Sequence, residues 1–111
     1  MQIYNKLIRD NIDNIINSNG KNELAVTRIL SDEEYKLELL KKLEEEYNEL
    51  IAAIDSGIKE DIIEESADLL EVVRALNGDT LDLVLQKLED KRNKKGGFTK
   101  KKYLEKVITK D

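Results

Sequence analysis

Leu43-Glu44-Glu45-Glu46-Tyr47-Asn48-Glu49-Leu50 and Glu64-Glu65-Ser66-Ala67-Asp68-Leu69-Leu70-Glu71 decide the fold of this chain. Both segments mix apolar and acidic residues at helical spacing. Around the first, Leu37, Leu40, Leu43, Tyr47, Leu50, Ile51 and Ile54 recur every three or four residues, which predicts one apolar stripe on a long helix over about 32–55. Ser31 followed by Glu34 is a capping box that opens this helix, and Gly57 closes it. Around the second segment, Ile62, Ile63, Leu69, Leu70, Val73 and Leu76 predict a helix over about 59–77, stopped by Gly78.

Outward from this pair the signals are also helical. Asp79 or Thr80 caps a further helix over about 80–94, with Leu81, Val84, Leu85 and Leu88, broken by Gly96-Gly97. A first helix is expected from Asp10 as N-cap, with Ile12, Ile15 and Ile16 on one face and Gly20 as its stop. Leu24 to Leu30 has strand-forming residues but is too short to anchor a sheet. Phe98 to Asp111 is too mixed to assign, and Tyr103, Leu104, Val107 and Ile108 are expected to dock on the helices. The expected architecture is a single all-α domain over 1–111: an antiparallel bundle of about four helices, completed by oligomerisation.

Composition narrows the chemistry. The 111 residues contain no Cys, His, Pro or Trp. This excludes zinc fingers, haem and iron–sulfur ligation, thiol nucleophiles and a Ser-His-Asp triad. A bound metal would need oxygen ligands, which points to Mg²⁺, Mn²⁺ or Ca²⁺. No apolar run exceeds Leu50 to Ile54 and Met1 to Lys6 lacks a signal-peptide core, so a cytoplasmic protein without membrane contact is expected. The net charge of −5 is segregated. Residues 44–71 hold one base against eleven acids, while residues 91–111 hold nine bases against two acids. A cation site in the middle and an anion clamp at the end is one explanation; a solvated acidic face and a basic tail is the other.

The spacing of the acids bears on the cation site. Glu46 and Glu49, and likewise Glu65 and Asp68, lie three apart and are neighbours on a helix surface. In a helical hairpin turning at Gly57, opposed residue numbers sum to about 114, which sets Glu46 against Asp68 and Glu49 against Glu65. At 100° per residue, Glu46 lies about 60° from Leu43, on the stripe border, and Glu65 lies between Val72 and Leu76. Carboxylates inside an apolar arc must be paired, protonated or bound to metal. Four clustered carboxylates repel, and a divalent cation relieves this; Lys59 is the sole base within 44–71. The alternative is a rotated pair of helices whose acids face water.

At these residues the chain resembles the MazG-like all-α NTP pyrophosphohydrolases. Residues 43–50 resemble their E-E-x-x-E-L motif and residues 64–71 their E-x-x-D helix. Tyr4-Asn5-Lys6-Leu7-Ile8-Arg9-Asp10 and Lys91-Arg92-Asn93-Lys94-Lys95-Gly96-Gly97-Phe98 resemble the house-cleaning, phosphoribosyl-ATP pyrophosphohydrolase-like branch. A Pro common after the first of these is absent, and Ser66 stands where Leu is usual.

The resemblance implies Mg²⁺-dependent cleavage between the α and β phosphates of a nucleoside triphosphate, giving a monophosphate and pyrophosphate, with Mn²⁺ as a possible substitute. By position, Glu46, Glu49, Glu65 and Asp68 match the metal ligands. Glu45 matches the first acid of the motif, a candidate to orient or deprotonate the attacking water. Glu71 is a candidate additional or supporting ligand. Lys6, Arg9, Lys91, Arg92, Lys94 and Lys95 are candidate phosphate contacts; Gly97 would admit close anion approach and Phe98 would stack on a base.

Three alternatives stay open. One is phosphoribosyl-ATP as substrate, and another is a non-catalytic helical interaction module. Nucleic-acid binding through the basic tail is the weakest, since the acidic middle opposes it. The wide apolar arc of the 59–77 helix predicts a homodimer or higher homo-oligomer.

Overall fold

The computed structural model describes the whole of Met1–Asp111. It is all-helical, with no strands: α1 (Ile12–Asn17), α2 (Asp32–Ser56), α3 (Lys59–Leu76) and α4 (Leu81–Lys95). The chain divides into two compact units, Met1–Asp79 with α1 to α3 and Thr80–Asp111 with α4. No helix is long and apolar enough to cross a membrane.

α2 starts where the capping box places it. The Glu34 backbone N–H donates to Ser31 Oγ at 3.2 Å, and the Ser31 N–H donates to Glu34 Oε1 at 3.2 Å. Arg28 adds an ion pair to Glu34 at 2.9 Å. Hydrogen bonding to Arg28 and then to the Ser31 backbone holds the Glu34 carboxyl down at about 2. Ser31→Ala removes one of these bonds and is expected to destabilise the fold by about 1 kcal/mol, read from chemical denaturation. The far end closes at Gly57, whose φ of 73° is the left-handed conformation that only glycine adopts freely. Its N–H satisfies the Ala53 and Ile54 carbonyls. With only Gly57 and Ile58 between them, α2 and α3 fold back on each other as an antiparallel hairpin and pack together.

The packed face differs from the expected stripe. On α2 the buried residues are Leu39, Glu46 and Ala53, with Leu43 and Leu50 half-buried between them. On α3 Val72 is buried, and Ile62, Glu65 and Leu69 are half-buried. Both sets run at alternating spacings of three and four, the seam by which one helix meets one partner. Leu37, Leu40, Tyr47, Ile51 and Ile54 form a second seam on α2 and remain exposed. The single expected stripe therefore merged two faces. It omitted Leu39 and Ala53, which pack, because the larger side chains of the other seam dominate the pattern. On α3, likewise, Ile63, Leu70 and Leu76 are exposed.

Two further expectations are corrected, and one holds. α1 is capped by Asn11, not Asp10, and is six residues long. The polar turn Ser18-Asn19-Gly20 stops it early, with the Ser18 N–H donating to Asn14 O. Residues 24–30 pair with no strand, in keeping with a stretch too short to anchor a sheet. Tyr103, Leu104, Val107 and Ile108 are exposed, not docked; in a segment without helix they share no common face.

Candidate metal centre

α2 and α3 bring Glu46, Glu49 and Glu65 together, with one carboxylate oxygen from each inside a mutual 4.8 Å. The cause is local. Glu46 and Glu65 occupy seam positions, where packing demands an apolar side chain, so both are carried into the contact between helices. Glu46 is only 9% exposed, and it is the one buried charged residue. Its Oε2 and Glu65 Oε2 are both inaccessible and both lack a hydrogen-bond partner. An ionised carboxylate only accepts, so neighbouring carboxylates cannot satisfy one another without a proton or a cation.

Electrostatics reflect this crowding. Burial pushes the Glu46 carboxyl up to about 7; Glu49 adds to the rise through hydrogen bonding and charge, Asp68 adds through charge, and Lys42 opposes it. Glu65 is raised as well, by burial first and then by Glu49, Asp68 and Glu64. Asp68 thus lies within electrostatic reach of both, but outside the triad of ligand atoms. Its Oδ1 instead accepts from Arg9 Nη2 at 2.7 Å.

The donor set suits a hard divalent cation. Three carboxylate oxygens inside 4.8 Å of one another are close enough to share one hard cation, whose oxygen ligands lie about 2.0–2.6 Å away. The two unpartnered buried oxygens are what such an ion would satisfy.

A carboxyl raised in the folded state is a destabilising group once ionised. Its effect is absent below the unfolded value of about 4.5, grows as pH rises, and is complete above about 7. The chain has no His or Cys, so no other side-chain class ordinarily titrates in that window. In buffer stripped of divalent cations, Glu46→Gln is expected to raise the melting temperature by several degrees at pH 8 and to match the unsubstituted protein at pH 4. Equal melting at pH 8 would mean that Glu46 is not desolvated.

The other candidates fall at varied places. Glu45 pairs with Lys42 at 3.4 Å and stands outside the triad. Glu71 pairs with Arg74 at 3.4 Å, one turn beyond Asp68. Lys6 is exposed. Lys91, Arg92, Lys94 and Lys95 sit in the last turns of α4, in the second unit, where positive charge favours the helix dipole. Arg92 curls back over Gly97: a Cβ there would stand 2.8 Å from its Nη1. Gly97 is thus the small residue that lets a guanidinium lie against the backbone. Phe98 is 99% exposed, so it does no core packing.

Two cations beside the acids lie outside the acidic stretch of sequence. Lys42 lies just before the acidic stretch, and Arg9 arrives from 59 residues away. Lys42 is legible as a base three residues from Glu45 on one helix, whereas no local pattern ties Arg9 to Asp68. No family model, curated protein or solved structure significantly matches the chain.

Proposed function

We propose that this chain is a divalent-cation-dependent nucleoside triphosphate pyrophosphohydrolase. It cleaves the α–β phosphate bond of nucleoside triphosphates, non-standard ones foremost, to a monophosphate and pyrophosphate, as a cytoplasmic house-cleaning enzyme. The observation that carries the proposal is that Glu46 and Glu65, each with a buried carboxylate oxygen that lacks a hydrogen-bond partner, belong to the carboxylate triad that Glu49 completes between α2 and α3. The likeness of both acidic motifs to the MazG-like enzymes supplies the reaction class.

Glu46, Glu49 and Glu65 hold Mg²⁺ or Mn²⁺, and Asp68 completes the set. The cation, when bound, screens phosphate charge and acidifies water. The protein's own groups do the rest. The rigid hairpin keeps the acids in register, and the desolvated position of Glu46 and Glu65 strengthens their attraction for a cation. Glu45, kept oriented by Lys42, is the group offered to the attacking water. Lys6 and Arg9, in the same unit as the acids, are the cations offered to the triphosphate.

The working unit is a dimer. Leu37, Leu40, Tyr47, Ile51 and Ile54 line one face of α2 and are exposed. The occupant of this seam is a second copy, laid on it symmetrically.

The same exposed seam favours the alternative, a non-catalytic helical module that docks on a partner. Cation binding with turnover separates the two. Expected is Mn²⁺ binding together with pyrophosphate release from at least one member of a panel of standard and modified triphosphates. No release from any of them, with Mg²⁺ or Mn²⁺, would overturn the enzyme.

A further inference from the structure

We propose that Arg9 is a displaceable counter-ion: its guanidinium holds Asp68 until a divalent cation takes that carboxylate, and the released side chain then binds the phosphate that arrives with the cation. The inference rests on the cation site proposed above and adds a coupling between its two ligands.

Three observations place Arg9 in this role. The triad of ligand atoms closes without Asp68, whose oxygen lies 2.7 Å from Arg9 Nη2. Asp68 is therefore engaged elsewhere while remaining beside the cluster. The pair is also exchangeable: the two side chains are 59% and 36% exposed, and ion pairs so open to water are weak. Finally, only the side chain needs to move. Leu7 and Ile8 are half-buried, and the Ile12 N–H donates to the Arg9 carbonyl at 3.1 Å, so the backbone at Arg9 is anchored. The site itself stands on more than clustered acids, since Glu46, a member of the triad, is 9% exposed and carries a buried oxygen without a hydrogen-bond partner.

The consequences follow from charge. A divalent cation attracts Asp68 more strongly than one exposed guanidinium does, so the ion pair yields to it. The freed guanidinium is then left beside the cluster without its carboxylate. Its planar fork matches a phosphate, which it grips with paired hydrogen bonds. Cation binding thus creates the anion contact, and in its absence Arg9 is occupied.

The test titrates Mn²⁺ by calorimetry into the protein without nucleotide, as unsubstituted chain, Arg9→Gln and Arg9→Lys. A second titration uses a nucleoside triphosphate with a methylene α–β bridge at saturating Mn²⁺. Arg9→Gln is expected to bind Mn²⁺ about two- to fivefold more tightly, having lost the competing charge. It is expected to bind the triphosphate analogue at least about tenfold more weakly, with Arg9→Lys between the two. A merely structural tether would move Mn²⁺ affinity the other way or leave it unchanged. Either result, with the unsubstituted protein binding Mn²⁺ normally, overturns the counter-ion role alone. Tighter Mn²⁺ binding with unchanged analogue binding overturns the transfer to phosphate and with it the proposal. No Mn²⁺ binding by the unsubstituted protein overturns this role and the cation site together.

Discussion

Glu49→Gln is expected to lower pyrophosphate release by on the order of a thousandfold while leaving the helices intact. Disturbing a group behind a metal ligand already lowers metal affinity or activity by about ten- to a hundredfold, so loss of a ligand oxygen from a triad should do more. Glu49 is the exposed member of that triad, so its replacement leaves no buried polar group stranded and the fold should survive. Gln keeps the size of Glu and removes the charge that draws a cation in. Asp68→Asn should act in the same direction more weakly, because Asp68 stands outside the triad and is already shared with Arg9. Far-UV circular dichroism checks the helices and coupled pyrophosphate detection checks turnover. Full turnover in both variants would place the chemistry elsewhere.

The second large effect belongs to the exposed seam. Ile51→Lys is expected to convert a dimer near 26 kDa, twice the 12.8 kDa chain mass, into monomer at micromolar concentration. Ile51 is 43% exposed in the single chain, so the substitution is nearly neutral for the hairpin itself. In a symmetric interface it instead buries two unpaired ammonium groups. Stranding a buried charge costs about 3 kcal/mol or more, a weakening of over a hundredfold. Sedimentation velocity reads both masses. If the unsubstituted protein sediments as a monomer at micromolar concentration, the second-copy assignment of this seam fails.

Much of the fold was legible because its signals are local. Ser31 with Glu34, and Gly57, mark the ends of α2 through hydrogen bonds made within a few residues. The residue sum that sets Glu46 against Asp68 and Glu49 against Glu65 needs only helix rise and a short turn, and the triad of Glu46, Glu49 and Glu65 forms at that level of the hairpin. What stayed hidden depends on partners distant in sequence. Which of two apolar seams on α2 meets α3 is a matter of rotation about the helix axis, and residue size misleads there: small Ala53 is buried while Ile51 and Ile54 are exposed. The Arg9–Asp68 pair spans 59 residues and has no local signature. The tail residues Tyr103 to Ile108 showed how apolar content without periodicity gives no docking face.

The composition acquires a specific use in this light. With no His and no Cys, acid–base behaviour near neutrality rests on the crowded carboxylates, above all Glu46 at about 7. Protonation at that site and cation binding compete for the same oxygens, so cation affinity should strengthen as pH rises through 7.

The most direct measurement is the phosphorus NMR spectrum of a nucleoside triphosphate incubated with the protein and Mg²⁺, beside the same reaction with Glu49→Gln. Expected are pyrophosphate and nucleoside monophosphate in equal amounts, absent without the cation and nearly absent with the variant. A nucleoside diphosphate with inorganic phosphate, or an unchanged spectrum across the panel of triphosphates, would contradict α–β cleavage at this site.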